Sequence, residues 1–460
     1  MSATVIPDDF RARFAGDIVT AADGPAYDTA IQRWAKNAAR NAAVVAYPKS
    51  NADVALALNL GLPVAIRGGA HSASGASSIE GGLVIDLSRY FADVRVDEGK
   101  KLAFCGGGSV WKTVDEAAIK YGLATVGGTV NHTGTLFLLV LGGGYGWLTN
   151  KHGLAIDNFI QANVVTASGE VVTASETENL ELLNALRGGG CNFGVVTEFV
   201  LRLHPQRPTV YAGALIFPGS PDLLDPLRAR LATWWAQADV NEAALFGVVA
   251  APGGGPPVYV MFVFYNGDEE EGKKNFKPFL DLNPIVNTAT EIPYEKVNSL
   301  QNEAVPPGSC VYMKGAGTVL DELLRPEDTH IKAITELVRA NHPHAGVLFE
   351  FFPLKNVVNR DKDGAHAFRG RTTNNMLVII QWKEGEEPAG STAGTIARAI
   401  TAASGDKGIS YGNYDDDPAG RNEAKPRRQF ADAYERLQGV KAKYDPGLRF
   451  DRWFPIVPKA

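Results

Sequence analysis

Five glycine clusters, at 68–69, 106–108, 127–128, 142–146 and 188–194, all lie before Pro205. They constrain the fold more than any other feature. Each interior glycine costs a helix roughly 0.5–1 kcal/mol relative to alanine, so no long helix can run through this half. What remains is a succession of short strands and helices joined by tight turns. Glycine amounts to 49 of 460 residues, about 11% against a usual ~7%. The glycines are clustered rather than periodic, which excludes a collagen-like chain. The apolar run Leu62 to Ile66 ends on Arg67. A turn nearly emptied of bulk, Gly68-Gly69-Ala70-His71-Ser72-Ala73-Ser74-Gly75, follows it, and a second apolar run begins at Leu83.

Local patterns place further elements. Ala42–Ala46 reads as a strand, and Ser50 opens a helix with Asp53 in the capping-box position. Val94–Val96 with Leu102–Cys105, and Val164–Ala167 with Val171–Ala174, read as hairpins. A helix from Val110 to Tyr121 stops at Gly122. Ser175-Glu176-Thr177-Glu178 has the spacing of a capping box for a helix to about Leu186, and Val195–Leu203 reads as a strand. After Pro205 the clusters thin out and longer elements appear. Helices are expected at Leu223–Gln237, Glu270–Leu280, Pro326–Asn341, Ser391–Ala403 and Arg428–Tyr444. Strands are expected at Ala244–Ala250, Val258–Tyr265, Val311–Gly315, Val347–Phe352 and Met376–Trp382. The fold class is α+β, with helices backing an antiparallel sheet in the second half.

Charge and cysteines exclude several functions. Formal net charge is −6, and the densest basic spot is Lys425-Pro426-Arg427-Arg428, so nucleic acid is not an expected partner. Cys105, Cys191 and Cys310 are too widely spaced for a disulfide framework or a CxxC metal site. No metal is expected. No run approaches the ~18 apolar residues of a membrane span, and MSATVIPDDFRARFAG lacks the apolar core of a secretory signal. A soluble, cytoplasmic protein is the expectation.

Glycine-rich turns invite a nucleotide reading. The P-loop pattern G-x-x-x-x-G-K-[ST] and the dinucleotide fingerprint G-x-G-x-x-G are both absent. Several short turns could instead bring backbone N–H groups to one long ligand, or form a pyrophosphate nest. They could equally be the tight turns of a strand-rich domain.

Ordered motifs add what spacing cannot. RGGAHSASG resembles the R-G-G-G-H-S-x-x-G segment of FAD-linked oxidases with a PCMH-type flavin domain. These form the berberine-bridge-enzyme-like branch of the vanillyl-alcohol oxidase superfamily. GGLVIDLS (81–88), GLATVGGTV (122–130), GGGYGWL (142–148), GLAIDN (153–158) and RGGGCNFGVVT (187–197) match it in order. Tyr411-Gly412-Asn413-Tyr414 resembles the branch's Y-x-N-Y segment, and Lys443-Tyr444-Asp445-Pro446 its K-Y-D-P. The likeness is near-continuous over 33–205 and patchy but ordered to 455.

The resemblance implies a PCMH-type FAD-binding domain of two α+β subdomains over 36–206. It implies a substrate domain on a large antiparallel sheet over 207–410, and a C-terminal segment, 411–460, returning to the FAD domain. It implies FAD bonded through its 8α carbon to His71. Arg67, Gly68, Gly69, Ala70, Ser72, Gly75, Gly127, Gly128, Val130, His132, Thr133, Gly143, Gly146, Asp157, Gly194, Val196 and Asn413 are the other expected cofactor-binding residues. Many members add a cysteinyl link at the position of Val130, so one covalent link only is expected here. His132 lies beside the expected ring site, where it either tunes the flavin or fills space.

Two stretches depart from the pattern. Thr135-Leu136-Phe137-Leu138-Leu139-Val140-Leu141 replaces a short V-G-G-type segment with bulky residues, and the helix after Asn51 is about five residues short. Bulk at 135–141 is expected to narrow the flavin pocket or oppose binding.

The implied chemistry is hydride transfer from a small organic substrate (an alcohol, hemiacetal or amine) to flavin N5. A base takes the neighbouring O–H or N–H proton, and O₂ reoxidises the flavin. Tyr411 and Tyr414 are the expected bases, the alternative for each being interface packing. A tyrosine, with an ordinary pKa near 10, needs help, and Lys383 and Arg371 are the candidates to lower it by charge. An oxidative cyclase and a flavin-poor homologue are the competing readings.

Overall fold

Val64–Arg67 and Leu83–Asp86, the apolar runs on either side of the glycine turn, are parallel neighbours in register from Val64↔Leu83 to Arg67↔Asp86. The structure is a computed structural model and describes residues 6–459 except 135–138, 250, 252–254, 305, 342, 387–389, 406–408, 410 and 418–422, and the side chains of 390–392. Parallel strands need a crossover of a dozen or more residues. Here the crossover is the turn segment itself, so the turn sits at the carboxyl end of a parallel strand, the edge where open sheets commonly bind ligands. The sheet is completed by Val44–Tyr47, parallel to Leu83–Asp86, and by Asp17–Val19, antiparallel at the edge.

The two hairpins come together in a five-stranded antiparallel sheet. Its order is Val94–Asp97, Leu102–Gly106, Val195–Arg202, Phe159–Val165, Val171–Ser175. Between these two sheets lies one core that includes Val54, Leu58, Ile66, Ile85, Trp111, Phe159, Leu183, Phe193 and Phe199. The C-terminal segment enters it through Phe430, Tyr434, Leu437, Trp453, Phe454 and Ile456.

The third sheet has eight strands, all antiparallel. Along its path run Val286–Asn287, Thr209–Pro218, Val258–Tyr265, Glu242–Val249, Ala345–Phe351, Asn374–Trp382 and Cys310–Thr318, and Thr290–Pro293 also pairs with Thr209–Pro218. Side chains alternate between its faces. Tyr211, Phe246, Met261, Phe349 and Val378 meet the helices Pro221–Trp235, Glu269–Leu280, His330–Ala340 and Gly390–Ala402. Ala212, Leu245, Val260, Phe262 and Phe264 turn the other way, onto Val126, Tyr145, Trp147 and Ile156 from the glycine-rich half. With both faces covered, Val258–Tyr265 can be apolar throughout.

Local expectations differ from the structure in several places, three of which stand out. Ser175 Oγ accepts from the N–H groups of Thr177 and Glu178 and caps a turn, while the helix starts later, at Leu180–Gly189, because Asn179 takes φ +47°. The expected helix Arg428–Tyr444 is broken at Ala431, φ +44°, into Ala424–Phe430 and Tyr434–Tyr444. The ten-residue strand Thr209–Pro218 was not expected at all. Among the described residues no helix is long and apolar enough to cross a membrane, and no cluster of His, Cys, Asp or Glu could hold a metal ion.

Candidate active site

Strand Val64–Arg67 delivers the turn, and Arg67 Nη1 anchors it from beneath through Asp86 Oδ2 at 2.5 Å. Trp34 N–H donates to Ala70 O (3.2 Å), and the Arg33 guanidinium holds Ser77 O. Ala70 O is the acceptor in that contact. None of the N–H groups of Gly68, Gly69, Ala70, His71, Ser72 and Ala73 donates a hydrogen bond among the described residues. Several neighbouring free amides in one turn form an anion nest. A Cβ on Gly69 would lie 2.1 Å from Gly134 Cα, so the backbone of Thr133–Gly134 can cross the turn only because both positions are glycine.

Ala70 stands at φ +59°, where the resemblance has a third glycine. Left-handed backbone costs alanine about 1–2 kcal/mol. A glycine there would lose roughly 0.8 kcal/mol of methyl burial and about 0.4–1 kcal/mol through a freer unfolded chain. Ala70→Gly is therefore expected to change stability by less than about 1 kcal/mol in either direction, the difference of these terms. Ala70→Val adds β-branched strain and overpacking and is expected to cost about 2 kcal/mol or more. Denaturant midpoints of the two variants check this.

His71 projects from the turn into a cavity. Ser72, Thr129, Val130, His132 and Thr133 line the same side, and Leu348, Glu350, Leu377, Ile379, Tyr411, Asn413 and Tyr414 the other. Of the expected site residues, the structure brings His71, Ser72, Val130, His132, Thr133, Tyr411, Asn413 and Tyr414 to this cavity. Arg67, Gly68, Gly69, Ala70 and Gly75 form its turn. Gly127, Gly128, Gly143, Gly146, Gly194 and Val196 lie outside the lining. There glycine permits close packing: a Cβ on Gly146 would sit 1.9 Å from Gly127 O, and one on Gly143 2.7 Å from the Phe368 ring. Asp157 is also outside it, paired with Arg371 Nη2 at 2.8 Å. Of the bulky segment 135–141, residues 135–138 lie outside the described residues; Leu139 lines the cavity.

His71 Nε2 and His132 Nδ1 are 2.6 Å apart. Burial and the neighbouring imidazole lower the His71 pKa to about 3, so the ring is neutral at ordinary pH.

Opposite stands a carboxylate that the sequence reading passed over. Glu350, 4% exposed, accepts from Tyr414 Oη at 2.6 Å and from Asn375 Nδ2 at 2.8 Å. Burial raises its pKa to about 7, against the pull of those two hydrogen bonds. The signal was present: an acid inside the apolar strand Ala345–Phe351, in phase with Leu348 and out of phase with Phe349 and Phe351. Tyr411 Oη accepts from Asn413 Nδ2 (2.8 Å) and Gly144 N–H (3.0 Å), and its ring meets that of Tyr414 edge-on at 4.9 Å.

Neither expected cation assists the tyrosines, and among the described residues no other lines the cavity. Lys383 is exposed beyond the end of its strand, and Arg371 is committed to Asp157 and His366. Burial raises both tyrosines instead. A proton acceptor for Tyr414 is supplied by Glu350.

The free amides, the glycine-permitted close approach and the cavity beside His71 fit a flavin dinucleotide: an anion nest for a pyrophosphate next to room for a ring. Comparison with known proteins agrees. The sequence profile of a family described as an FAD binding domain matches residues 42–175. An FAD-linked oxidoreductase of Aspergillus terreus, pgmH, is 33% identical over 467 residues, spanning 94% of this chain and 91% of that protein. The solved structure of 6-hydroxy-D-nicotine oxidase from Arthrobacter nicotinovorans is similar with a TM-score of 0.83 and 25% identity, covering 97% of this chain and 98% of that one. Glucooligosaccharide oxidase from Acremonium strictum, described with a 6-S-cysteinyl, 8α-N1-histidyl FAD, shares the fold at TM-score 0.81 and 22% identity, over 98% and 99% of the two chains. The chain is therefore an FAD-dependent oxidoreductase and belongs to the FAD-linked oxidoreductases of the vanillyl-alcohol oxidase and berberine-bridge-enzyme-like family.

Proposed function

We propose that this protein is an oxidase of a small organic molecule whose reacting carbon carries a hydroxyl or amine, with dioxygen as electron acceptor. The observation that carries this reading is the pairing of Tyr414 with Glu350 across the cavity from His71. FAD, when bound, supplies a two-electron acceptor for the substrate C–H bond. The amides of 68–73 would hold its pyrophosphate, His71 would anchor it covalently, and Val130 offers no second attachment.

The chain's own part is proton management. Tyr414 takes the proton of the substrate O–H or N–H as its own proton passes to Glu350, so no free tyrosinate has to form. Tyr411, fixed by Asn413 and Gly144, has no acceptor for its own proton among the described residues and points a hydrogen-bond donor at the substrate heteroatom. The described cavity lining contains no lysine or arginine; of its acids, Asp415 is paired with Lys314 and Lys425, and burial raises Glu350 to about 7 and Asp416 to about 8. Leu245, Met313, Leu348, Leu377 and Ile379 form part of its apolar wall. Such a lining favours neutral, mainly apolar substrates and disfavours carboxylates, which would find no cation in it.

The test starts from the purified holoprotein. It is expected to be yellow, to keep flavin fluorescence on denaturing electrophoresis, and to release H₂O₂ in the presence of substrate. His71→Ala is expected to lose the fluorescence that survives denaturation while retaining the fold. A colourless protein would leave only a non-catalytic relative. A flavin held by two bonds on mass spectrometry would refute the single link, and turnover without H₂O₂ would favour oxidative cyclisation.

A further inference from the structure

We propose that His132 is a positioning residue for covalent attachment of the flavin, accepting the Nε2 proton of His71 so that His71 Nδ1 forms the bond. This rests on the reading of His71 as the attachment point.

The rings of His71 and His132 are inclined by 29° with centroids 4.7 Å apart. With the two nitrogens at 2.6 Å, they meet edge to edge through a hydrogen bond rather than face to face. The Trp34 indole lies 4.6 Å from the His71 ring at 21°, which fixes the imidazole plane. His132 is itself held. Asn131 N–H donates to Asn298 O (2.6 Å), Asn302 Nδ2 to Asn131 Oδ1 (2.9 Å), and Lys112 N–H to Asn131 O (2.9 Å). Gln301 Nε2 donates to Thr129 O at 3.1 Å. The segment is thus pinned by the start of helix Trp111–Ala118 on one side and by the turn at 298–302 on the other.

The contact leaves two nitrogens over. His71 Nδ1 has no hydrogen-bond partner among the described residues, and His132 Nε2 is buried without one. For Nδ1 to act as a nucleophile it must present a lone pair, which places the ring proton on Nε2. An acceptor at 2.6 Å is what favours that tautomer. Bond formation at Nδ1 acidifies Nε2–H. That proton moves to His132 Nδ1, which holds it until the flavin ring takes it up. In the balance, His71 exchanges an N–H bond for an Nδ1–C bond and the flavin 8α-methyl loses one C–H bond. Both hydrogens and the electron pair are taken up by the flavin ring, which is the oxidant, and then by dioxygen. Without His132 the acceptor is gone, while the amide nest that holds the dinucleotide is untouched.

Apoprotein expressed under riboflavin starvation and mixed with FAD separates binding from attachment. Binding is read as quenched flavin fluorescence. Attachment is read as gain of one FAD in intact mass and as fluorescence surviving denaturation. His132→Ala is expected to bind FAD but to attach it at least about a hundredfold more slowly, the scale of a positioned proton acceptor. Added imidazole is expected to restore part of the rate in His132→Gly. If His132→Ala does not bind FAD, His132→Gln, which keeps the bulk but cannot relay a proton, takes its place. Attachment at the wild-type rate in a variant that binds FAD overturns the proposal, as does a His132→Gly variant that binds FAD and ignores imidazole. A covalent flavin surviving in His71→Ala would instead overturn the reading beneath it.

Discussion

Glu350→Gln is expected to lower kcat by about 10²–10⁴, the range for loss of a positioned acid or base, and to abolish a pH limb near 7. In the proposed relay, Tyr414 can take the substrate proton only while Glu350 is ionised. Its pKa is raised to about 7 by burial, so the wild-type rate should rise with pH through that value and level off above it. Glutamine has the same shape and can still accept from Tyr414, but it cannot take the proton. Tyr414→Phe should cost a similar factor, and the double variant little more, because the two act as one unit. Stability separates chemistry from folding. A carboxyl whose folded pKa is raised binds its proton more tightly when folded. Its contribution is present below the unfolded value and is lost as pH rises through about 7. Above pH 7 the wild type buries a charge that glutamine does not carry, so Glu350→Gln should melt no lower there. A variant that keeps wild-type turnover, or an unchanged pH profile, would remove Glu350 from the proton path.

That carboxylate shows where the sequence was legible and where it was not. The glycine turn was readable from its own composition, whereas His71 and the tyrosine segment were singled out through the ordered motifs that resemble the oxidase family. The strand Val258–Tyr265 was readable from its β-branched and aromatic content alone. The strand Thr209–Pro218 was not, because it is buried on both faces and carries Ala, Gly and Leu without alternation. Glu350 was overlooked for a related reason. Phe349, Phe351 and Phe352 read as core, and only the alternation of the strand reveals that the acid between them faces the opposite side. The His71–His132 contact and the Tyr414–Glu350 pair each join residues separated by 61 and 64 positions, and no local pattern encodes such meetings. The expected help from Lys383 and Arg371 failed for the same reason. Charge near a motif in sequence says nothing of the partner it finds in space, and Arg371 finds Asp157.

The second large effect concerns the C-terminal segment, and Lys441→Met is expected to cost about 3–5 kcal/mol, the range for breaking a buried ion pair from one side. Lys441 is 0% exposed. Its Nζ donates to Asp445 Oδ2 at 2.5 Å, Asn192 O at 2.6 Å and Phe450 O at 2.9 Å, so all three ammonium hydrogens are used. Methionine fills the space but leaves Asp445 buried with only the N–H groups of Arg449 and Phe450 as donors. Removing both charges should be gentler. Lys441→Met with Asp445→Leu is expected to recover a measurable part of the loss, though not all, because the turn Asp445 caps is lost with it. Denaturant unfolding of the two single variants and the double closes the cycle, and a single variant within about 1 kcal/mol of wild type would show the pair to be dispensable. The consequence reaches the cavity. Asn192 Nδ2 donates to the carbonyl oxygens of Trp453 and Phe454, and its Oδ1 accepts from Ile456 N–H. Trp453 lines the cavity, and its indole leaves no room for a Cβ on Gly190, which would lie 2.1 Å away. Lys441 therefore fastens the strand of chain that holds Trp453 in place. Its loss should loosen that wall before the protein unfolds, and Lys441→Met should expose the flavin to solvent at a lower temperature than the wild type, read as unquenched flavin fluorescence in a thermal ramp.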